Sequence, residues 1–418
     1  MRTRSGFALL LVVTSAAATP SERFGFGARS SALAQADVAD VRDYAAVYQN
    51  PALLTAPEAS MLGIGYQAFD YSLDHSSPDS VQLLEGGFVA RGEILSLPVG
   101  FGVAIALPDA KLSSFQSLEA DDSAWVLDEL SNRVAFVGVG AGLEPFDWLS
   151  LGGTLGHLAA VDGSFAVEGS AAAAFVEGAP SSSALTHSVD AELGSVRYVT
   201  LGARLEPRRD LALAVVYRDE ARIEQRIAGA LDGELTYGAL AVPVSYRFES
   251  RSVGAYLPRQ LSLALHFEPD PDTSMDAALL LQDLSELPSP EARTSSRARA
   301  EAPPGLSLDL PPDRRAPPAR DAGFRDRFVP RLGVERWFEL GAQVRAAGRA
   351  GFSYEASTLS SESPWLDADR WNVTFGAGLT KAWSVVQLKL DFYGLYSHFG
   401  GGNGHATGTG CSLGVSFR

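Results

Sequence analysis

The run Glu339-Leu340-Gly341-Ala342-Gln343-Val344-Arg345-Ala346-Ala347-Gly348-Arg349-Ala350-Gly351-Phe352-Ser353-Tyr354-Glu355 is the stretch on which the architecture turns. Leu340, Ala342, Val344, Ala346, Ala350, Phe352 and Tyr354 alternate with Glu339, Gln343, Arg345, Arg349, Ser353 and Glu355. A period of two puts each set on one face of a β-strand. The pattern recurs. Val386, Leu388, Leu390, Phe392 and Tyr396 alternate with Gln387, Lys389, Asp391 and Ser397, and Leu261, Leu263, Leu265 and Phe267 with Ser262, His266 and Glu268. Val99, Phe101, Val103, Ile105 and Leu107 alternate with Gly100, Gly102, Ala104 and Ala106.

Such strands suit two architectures. A soluble sandwich buries the apolar face and wets the polar one. A transmembrane barrel does the reverse, turning the apolar face to lipid and the polar or small face to its lumen. Length favours the barrel, because a tilted strand needs about 9–11 residues to cross a bilayer. So do the aromatics placed near strand ends: Tyr66, Tyr71, Tyr217, Tyr246, Phe248, Trp383, Tyr393 and Tyr396. They sit where interfacial girdles belong.

Composition narrows the choice. With 34 Lys+Arg against 50 Asp+Glu the net charge is −16, which removes the electrostatic footprint of nucleic-acid binding. The lone Cys411 rules out an internal disulfide framework, CxxC redox chemistry and cysteine-rich zinc sites. No histidine pair has helical metal spacing, so neither metal nor cofactor is implied. At the N-terminus Arg2 and Arg4 precede an apolar run from Phe7 to Val13 and small residues through Ala18. That is the form of a secretory signal over residues 1–18, cleaved after Ala18.

Connections alternate in length. Glu144–Asp147, Glu206–Asp210 and Glu268–Asp272 read as tight Pro/Asp turns. Residues 108–130, 162–192, 288–323 and 398–406 read as long loops on the opposite face, as an outer-membrane barrel has them. The 288–323 stretch, rich in Pro and Arg, predicts an extended, mobile outside loop rather than strand. In 108–130, apolar residues interleaved with acids, Phe115 and Trp125 among them, predict short amphipathic helices. Their apolar side either packs on the loop itself or forms a landing groove for a greasy molecule.

Residues 24–55, with Gly27, Arg29, small residues through Ala36, then Asp43, Ala46 and Asn50-Pro51-Ala52, resemble the N-terminal hatch of the outer-membrane long-chain fatty acid and aromatic hydrocarbon transporter family (FadL/TodX type). Pro98-Val99-Gly100-Phe101-Gly102-Val103 resembles that family's early strand. The segments Leu257–Leu263, Gly351–Glu355 and Leu366–Arg370 resemble later ones. The chain departs from the pattern in its 288–320 insert and in the hatch helix, where glycines are replaced around Leu33 and Gln35.

The resemblance implies an all-β, antiparallel transmembrane barrel of 14 strands. The strand count read directly from the sequence allows 14 or 16. A hatch (19–57) would plug the lumen of a barrel formed by 58–418. It further implies a monomer in a Gram-negative outer membrane, among lipid and lipopolysaccharide, inserted by the barrel assembly machinery, and passive uptake of a fatty acid or other hydrophobic small molecule with lateral exit through the wall. Each buried CH₂ is worth about 0.8 kcal/mol, so a 16-carbon tail prefers lipid to water by roughly 12 kcal/mol and a water-filled pore would serve it badly.

On this reading Gly27, Arg29, Asn50, Pro51 and Ala52 form the hatch gate. Pro98, Gly100 and Gly102 are candidates for the lateral opening, although Pro98 also reads as an ordinary strand-start proline. Phe115, Trp125, Arg345 and Arg349 are candidates for substrate contact. The two arginines either meet a ligand carboxylate or balance lumen acids such as Glu339 and Glu355. Two other classes stay open: a non-transport barrel acting as scaffold or secretion partner, and an outer-membrane hydrolase built on His75-Ser76-Ser77.

Overall fold

The computed structural model describes residues 25–56, 60–73, 80–108, 134–159, 163–169, 183–237, 240–286, 293–301, 310, 312–318, 323–341, 343–358, 369–400 and 404–417. The signal segment and most of the 108–130 connection, with Phe115 and Trp125, lie outside them. No helix among the described residues is long and apolar enough to cross a membrane.

The chain opens with three short helical pieces, α1 (Ala28–Ala32), α2 (Ala46–Gln49) and a 3-10 turn η1 (Pro51–Thr55). Next come β1 (Ser60–Leu73), β2 (Val81–Ile94), β3 (Leu97–Pro108), β4 (Ala135–Phe146) and β5 (Leu149–Ala159). After these are β6 (Gly163–Gly169), β7 (Ser183–Leu193), β8 (Ser195–Arg208), β9 (Leu211–Arg218), β10 (Ala221–Tyr237) and β11 (Leu240–Leu257). Then follow β12 (Arg259–Asp270), β13 (Thr273–Asp283), β14 (Arg293–Ala300), β15 (Arg327–Gly341), β16 (Val344–Glu355), β17 (Arg370–Ala382), β18 (Val386–Phe399) and β19 (Gly404–Phe417).

Fourteen of these strands close on themselves in the order β1-β19-β18-β17-β16-β15-β13-β12-β9-β8-β5-β4-β3-β2, every pairing antiparallel. The burial pattern is inside out. Leu261, Leu263, Leu265, Phe101, Phe352, Phe375 and Phe392 are exposed, while Glu85, Asp276, Glu335, Arg349 and Asp391 are buried. Apolar faces that look outward from a closed sheet need lipid around them.

The expected Glu-Pro turns lie one step earlier than the actual reversals, which are two-residue turns at Asp147-Trp148, Arg209-Asp210 and Pro271-Asp272. Pro145, Pro207 and Pro269 instead sit within strand ends. There the register shifts between Leu143 and Phe146, Leu205 and Arg208, and Phe267 and Asp270. Proline brings no N–H to the ladder, so the pairing skips it as a bulge. Likewise the 339–355 run is not one strand. β15 ends at Gly341 and β16 begins at Val344, and Gly341 and Gln343 take positive φ.

Three other expectations are corrected. The 288–323 insert is not all loop, since β14 pairs with β11 through Val244↔Ala300 to Arg251↔Arg293. Residues 162–192 carry β6 and β7. Together these strands make a second, five-stranded sheet, β14-β11-β10-β7-β6, at the end of the barrel opposite the two-residue turns. Last, the girdle loses three members. Tyr246 and Phe248 belong to this second sheet, and Tyr393 points into the lumen, where its hydroxyl donates to Gln67. Phe146 and Trp148, stacked with centroids 5.3 Å apart at an exposed turn, occupy an interfacial position instead.

Candidate functional site: the plugged lumen and its wall

The hatch is held by charge at one side. Arg29, 1% exposed, donates to Asp37 (3.2 Å), Asp40 (3.0 Å) and Glu335 on β15 (3.0 Å), and to the Asp40 carbonyl (2.8 Å). Glu335 is shared with Arg349 on β16, which also reaches Asp391 on β18 at 2.7 Å. One ionic chain therefore runs from the plug across three wall strands. Gly27 donates its N–H to the carboxylate of Glu85 on β2, at 3.0 and 3.1 Å to its two oxygens, and Tyr44 donates to the same group. The φ of Gly27, +84°, is one that glycine alone adopts without strain. Wall side chains satisfy hatch carbonyls elsewhere: Thr154 at Val47 (2.9 Å), Arg204 at Ala39 (2.8 Å), Arg218 at Tyr48 (2.6 Å) and Thr374 at Ala32 (2.7 Å).

Asn50-Pro51-Ala52 forms the other anchor. The Asn50 side chain donates to the Val38 carbonyl at 2.8 Å and accepts from the Ala52 N–H at 3.1 Å, capping η1 with Pro51 at its first position. The wall that receives η1 has no side chains. Gly100 of β3 lies opposite Gly142 of β4, Gly142 opposite Gly152 of β5, and Gly152 opposite Gly202 of β8. This is one row of inward glycines on four neighbouring strands. A Cβ on Gly100 would fall 2.1 Å from the Leu54 carbonyl oxygen, one on Gly152 2.3 Å from Pro51 backbone, and one on Gly202 2.2 Å from Asn50 Oδ1. The row is a fitted seat, and along it the wall is one backbone thick.

On the other side of that row an apolar hollow of about 730 Å³ is lined by outward Phe101, Leu143, Leu151 and Leu201 together with Gly100, Gly142 and Gly152. Pro98 is the second residue of β3 and stands opposite Glu93. The β2–β3 ladder runs unbroken there, and pairing with β4 begins at Val99. Gly100 and Gly102 face the hatch, at Leu54 and Val47. The wall near Pro98 is thin rather than gapped.

A buried apolar cluster continues from the hatch along one side of the lumen, beside smaller ones at Ala28–Phe69–Tyr393 and Val38–Val216–Ala264. Phe26 stacks on Tyr48 (5.1 Å) and meets Tyr44 and Phe136 edge-on, and Leu158, Tyr198, Ile223 and Leu257 continue the cluster to the base of the second sheet. Of the two candidate arginines, Arg349 is spent on Glu335 and Asp391, while Arg345 stands at the rim with Glu339 and Asp272. Both guanidiniums lie against the Trp337 ring, Arg345 at 5.1 Å and Arg349 at 5.8 Å from its centroid. Sequence reading missed Glu85, Glu335, Phe136 and the glycines at 142, 152 and 202. The visible signal was the placement of glycines and acids at inward positions of alternating strands.

Burial pushes the Asp37 carboxyl up to about 7 in spite of Arg29, whereas for Asp40 the charges of Arg42 and Arg29 outweigh burial and hold it at about 2. A raised carboxyl steadies the docked hatch below its ordinary value of 3.8 and stops doing so as pH climbs through about 7. A depressed one contributes above 3.8 and is lost toward 2. Hatch protection factors, which discount the intrinsic rise of exchange with pH, should therefore fall as pH is raised from about 5 to about 8, and Asp37→Asn should flatten that fall. An unchanged slope in the variant would remove Asp37 as its source.

Neither comparison with protein-family models nor comparison with curated protein sequences gives a match. Comparison with solved structures does. A CymD monoaromatic hydrocarbon channel superposes with a TM-score of 0.54 at 14% identity, over 94% of this chain and 97% of that one. The Pseudomonas putida toluene transporter TodX gives 0.52 at 14%, over 96% and 99%. A Pseudomonas aeruginosa FadL homologue gives 0.50 at 13%, over 94% and 97%. Over nearly its whole length, then, the chain has the fold of the hydrophobic-compound transporters that its hatch and strand motifs resemble.

Proposed function

We propose that this chain is an outer-membrane transporter for passive uptake of uncharged hydrophobic molecules, delivered sideways through the wall at the glycine row. The observation that carries the reading is the apolar cluster that continues from Phe26, Tyr44 and Tyr48 of the hatch through Phe136, Leu158 and Tyr198 of the wall to Ile223 and Leu257 at the base of the second sheet. A greasy molecule gains by staying on that cluster, and a thin wall backed by an apolar hollow gives it the shortest way into the hydrocarbon layer. The solved structures that share the fold are described as toluene and monoaromatic hydrocarbon transporters and a FadL homologue, which supports the same class of cargo. A neutral cargo fits better than a carboxylate, since Arg29 and Arg349 are each engaged by at least two acids. The hydrolase reading rests on His75-Ser76-Ser77, which lie outside the described residues.

The test is uptake of labelled toluene and labelled oleate by cells lacking their own transporter. Toluene uptake should rise on expression of the chain, with oleate responding less, and Phe136→Glu should abolish the rise by placing a charge in the cluster. Uptake equal to that of empty cells would sink transport. Oleate ahead of toluene would overturn the neutral-cargo assignment.

A further inference from the structure

The second sheet has two unlike faces. Ala221 and Ile223 of β10 and Leu257 of β11 belong to the lumen cluster. Alternation from Ile223 therefore turns Arg222, Glu224 and Arg226 away from the mouth, and all three are exposed. On that outward face Arg226 stands directly opposite Arg251, and Arg251 directly opposite Arg293, on three neighbouring strands. Two rows further along the same face, past Glu249 and Ser295, Arg247 stands opposite Arg297. Like charges set opposite one another across a sheet are destabilising, so the fold itself gains nothing from this arrangement.

Few acids offset it. Glu249 Oε1 serves both Arg226 (3.0 Å) and Arg251 (2.8 Å), Asp313 serves Arg297 (3.5 Å) and Arg299 (2.8 Å), and Asp232 serves Arg247 (2.8 Å). Asp190 and Glu192 of β7 are registered beyond β10, opposite Ala228 and Arg226, so the positive surplus lies on the β11–β14 half. This occurs in a chain whose net charge is −16. Height matters as well. β10 begins three residues past the end of β9, and its Ala221 and Ile223 pack on the lumen cluster. Arg226 is three residues past Ile223, about 10 Å along the strand. The patch thus lies a short way beyond the barrel rim, on the end opposite the two-residue turns.

We propose that the β11–β14 half of this outward face binds the phosphate groups of the outer-leaflet glycolipid, lipopolysaccharide. Guanidinium forks match phosphate oxygens bidentately, and several on a stiff sheet present them at fixed spacing. The proposal takes its membrane from the preceding reading, but its test does not depend on cargo. The full chain purified in nonionic detergent is titrated with bis-phosphorylated lipid A and with its dephosphorylated form, followed by native mass spectrometry, alongside an Arg251→Gln/Arg293→Gln/Arg297→Gln variant. Wild type should bind the phosphorylated lipid about tenfold more tightly than the dephosphorylated one, the size of one charge-assisted hydrogen bond lost. The variant should lose that preference while its toluene uptake in cells is unchanged. Equal binding of the two lipids by wild type, or an undiminished preference in the variant, overturns the patch assignment. Displacement of the lipid by equimolar inorganic phosphate would do so too, by reducing the site to one for free anions. Recovery of the chain outside the outer-membrane fraction, with lipid preference intact, would count against the location and not against the patch.

Discussion

Arg29→Met should leave the barrel closed but its plug loose. Removing the cation strands Asp37 in a buried place and takes one of two partners from Asp40 and from Glu335, which keep Arg42 and Arg349, and breaking a buried ion pair from one side costs about 3–5 kcal/mol. That shifts the docked-to-undocked ratio by about a hundredfold or more. The wall is closed by its own ladders, so heat-modifiable migration of the folded barrel should persist while hatch amides lose protection. Cells should also become sensitive to bulky hydrophilic antibiotics. Arg29→Lys should rescue only in part, because a point charge cannot fork to three carboxylates as guanidinium does. Unchanged exchange and unchanged sensitivity in Arg29→Met would show that the latch is not what holds the plug.

Gly152→Ala is expected to be nearly as disruptive, and its neighbour provides the control. A Cβ at 152 meets the Pro51 carbonyl group at 2.3 Å and the Ala52 nitrogen at 2.6 Å, all backbone atoms that cannot swing aside. Overpacking of this kind costs about 1–3 kcal/mol, here taken entirely from hatch seating. A Cβ at 153 points to the lipid side and finds Leu201 at 3.4 Å, an ordinary contact. Hatch protection should therefore collapse in Gly152→Ala and survive in Gly153→Ala. Equal behaviour of the two would mean that the glycine row is not a seat.

The barrel was legible because its signal is periodic and local. Leu261, Leu263 and Leu265 announce an outward face without reference to any other strand. The hatch was legible through one motif, in which the Asn50 side chain caps the turn that Pro51 opens by accepting from the Ala52 N–H two residues on. What depends on register was hidden. Glu335 lies 14 residues from Arg349 and Asp391 lies 42, and nothing short of the actual pairing brings them together, whereas Glu339, near in sequence, does meet Arg345. The glycine row was hidden for the same reason, with Gly100, Gly142, Gly152 and Gly202 aligned only by three successive ladders. β14 escaped notice because Arg293-Thr294-Ser295-Ser296-Arg297-Ala298-Arg299-Ala300 has no large apolar residue. It is a strand because β11 offers it an edge.

The seam between β1 and β19 joins the first strand of the barrel to the last, from Ser60↔Phe417 to Leu73↔Gly404. The cylinder thus remains an open ribbon until β19 is in place. The plug precedes that ribbon in sequence and carries an enclosed guanidinium, so the strands that enclose it are made after it. A chain truncated before residue 404 would leave the membrane with a cleft and an unsheltered plug, however well its other thirteen staves were laid.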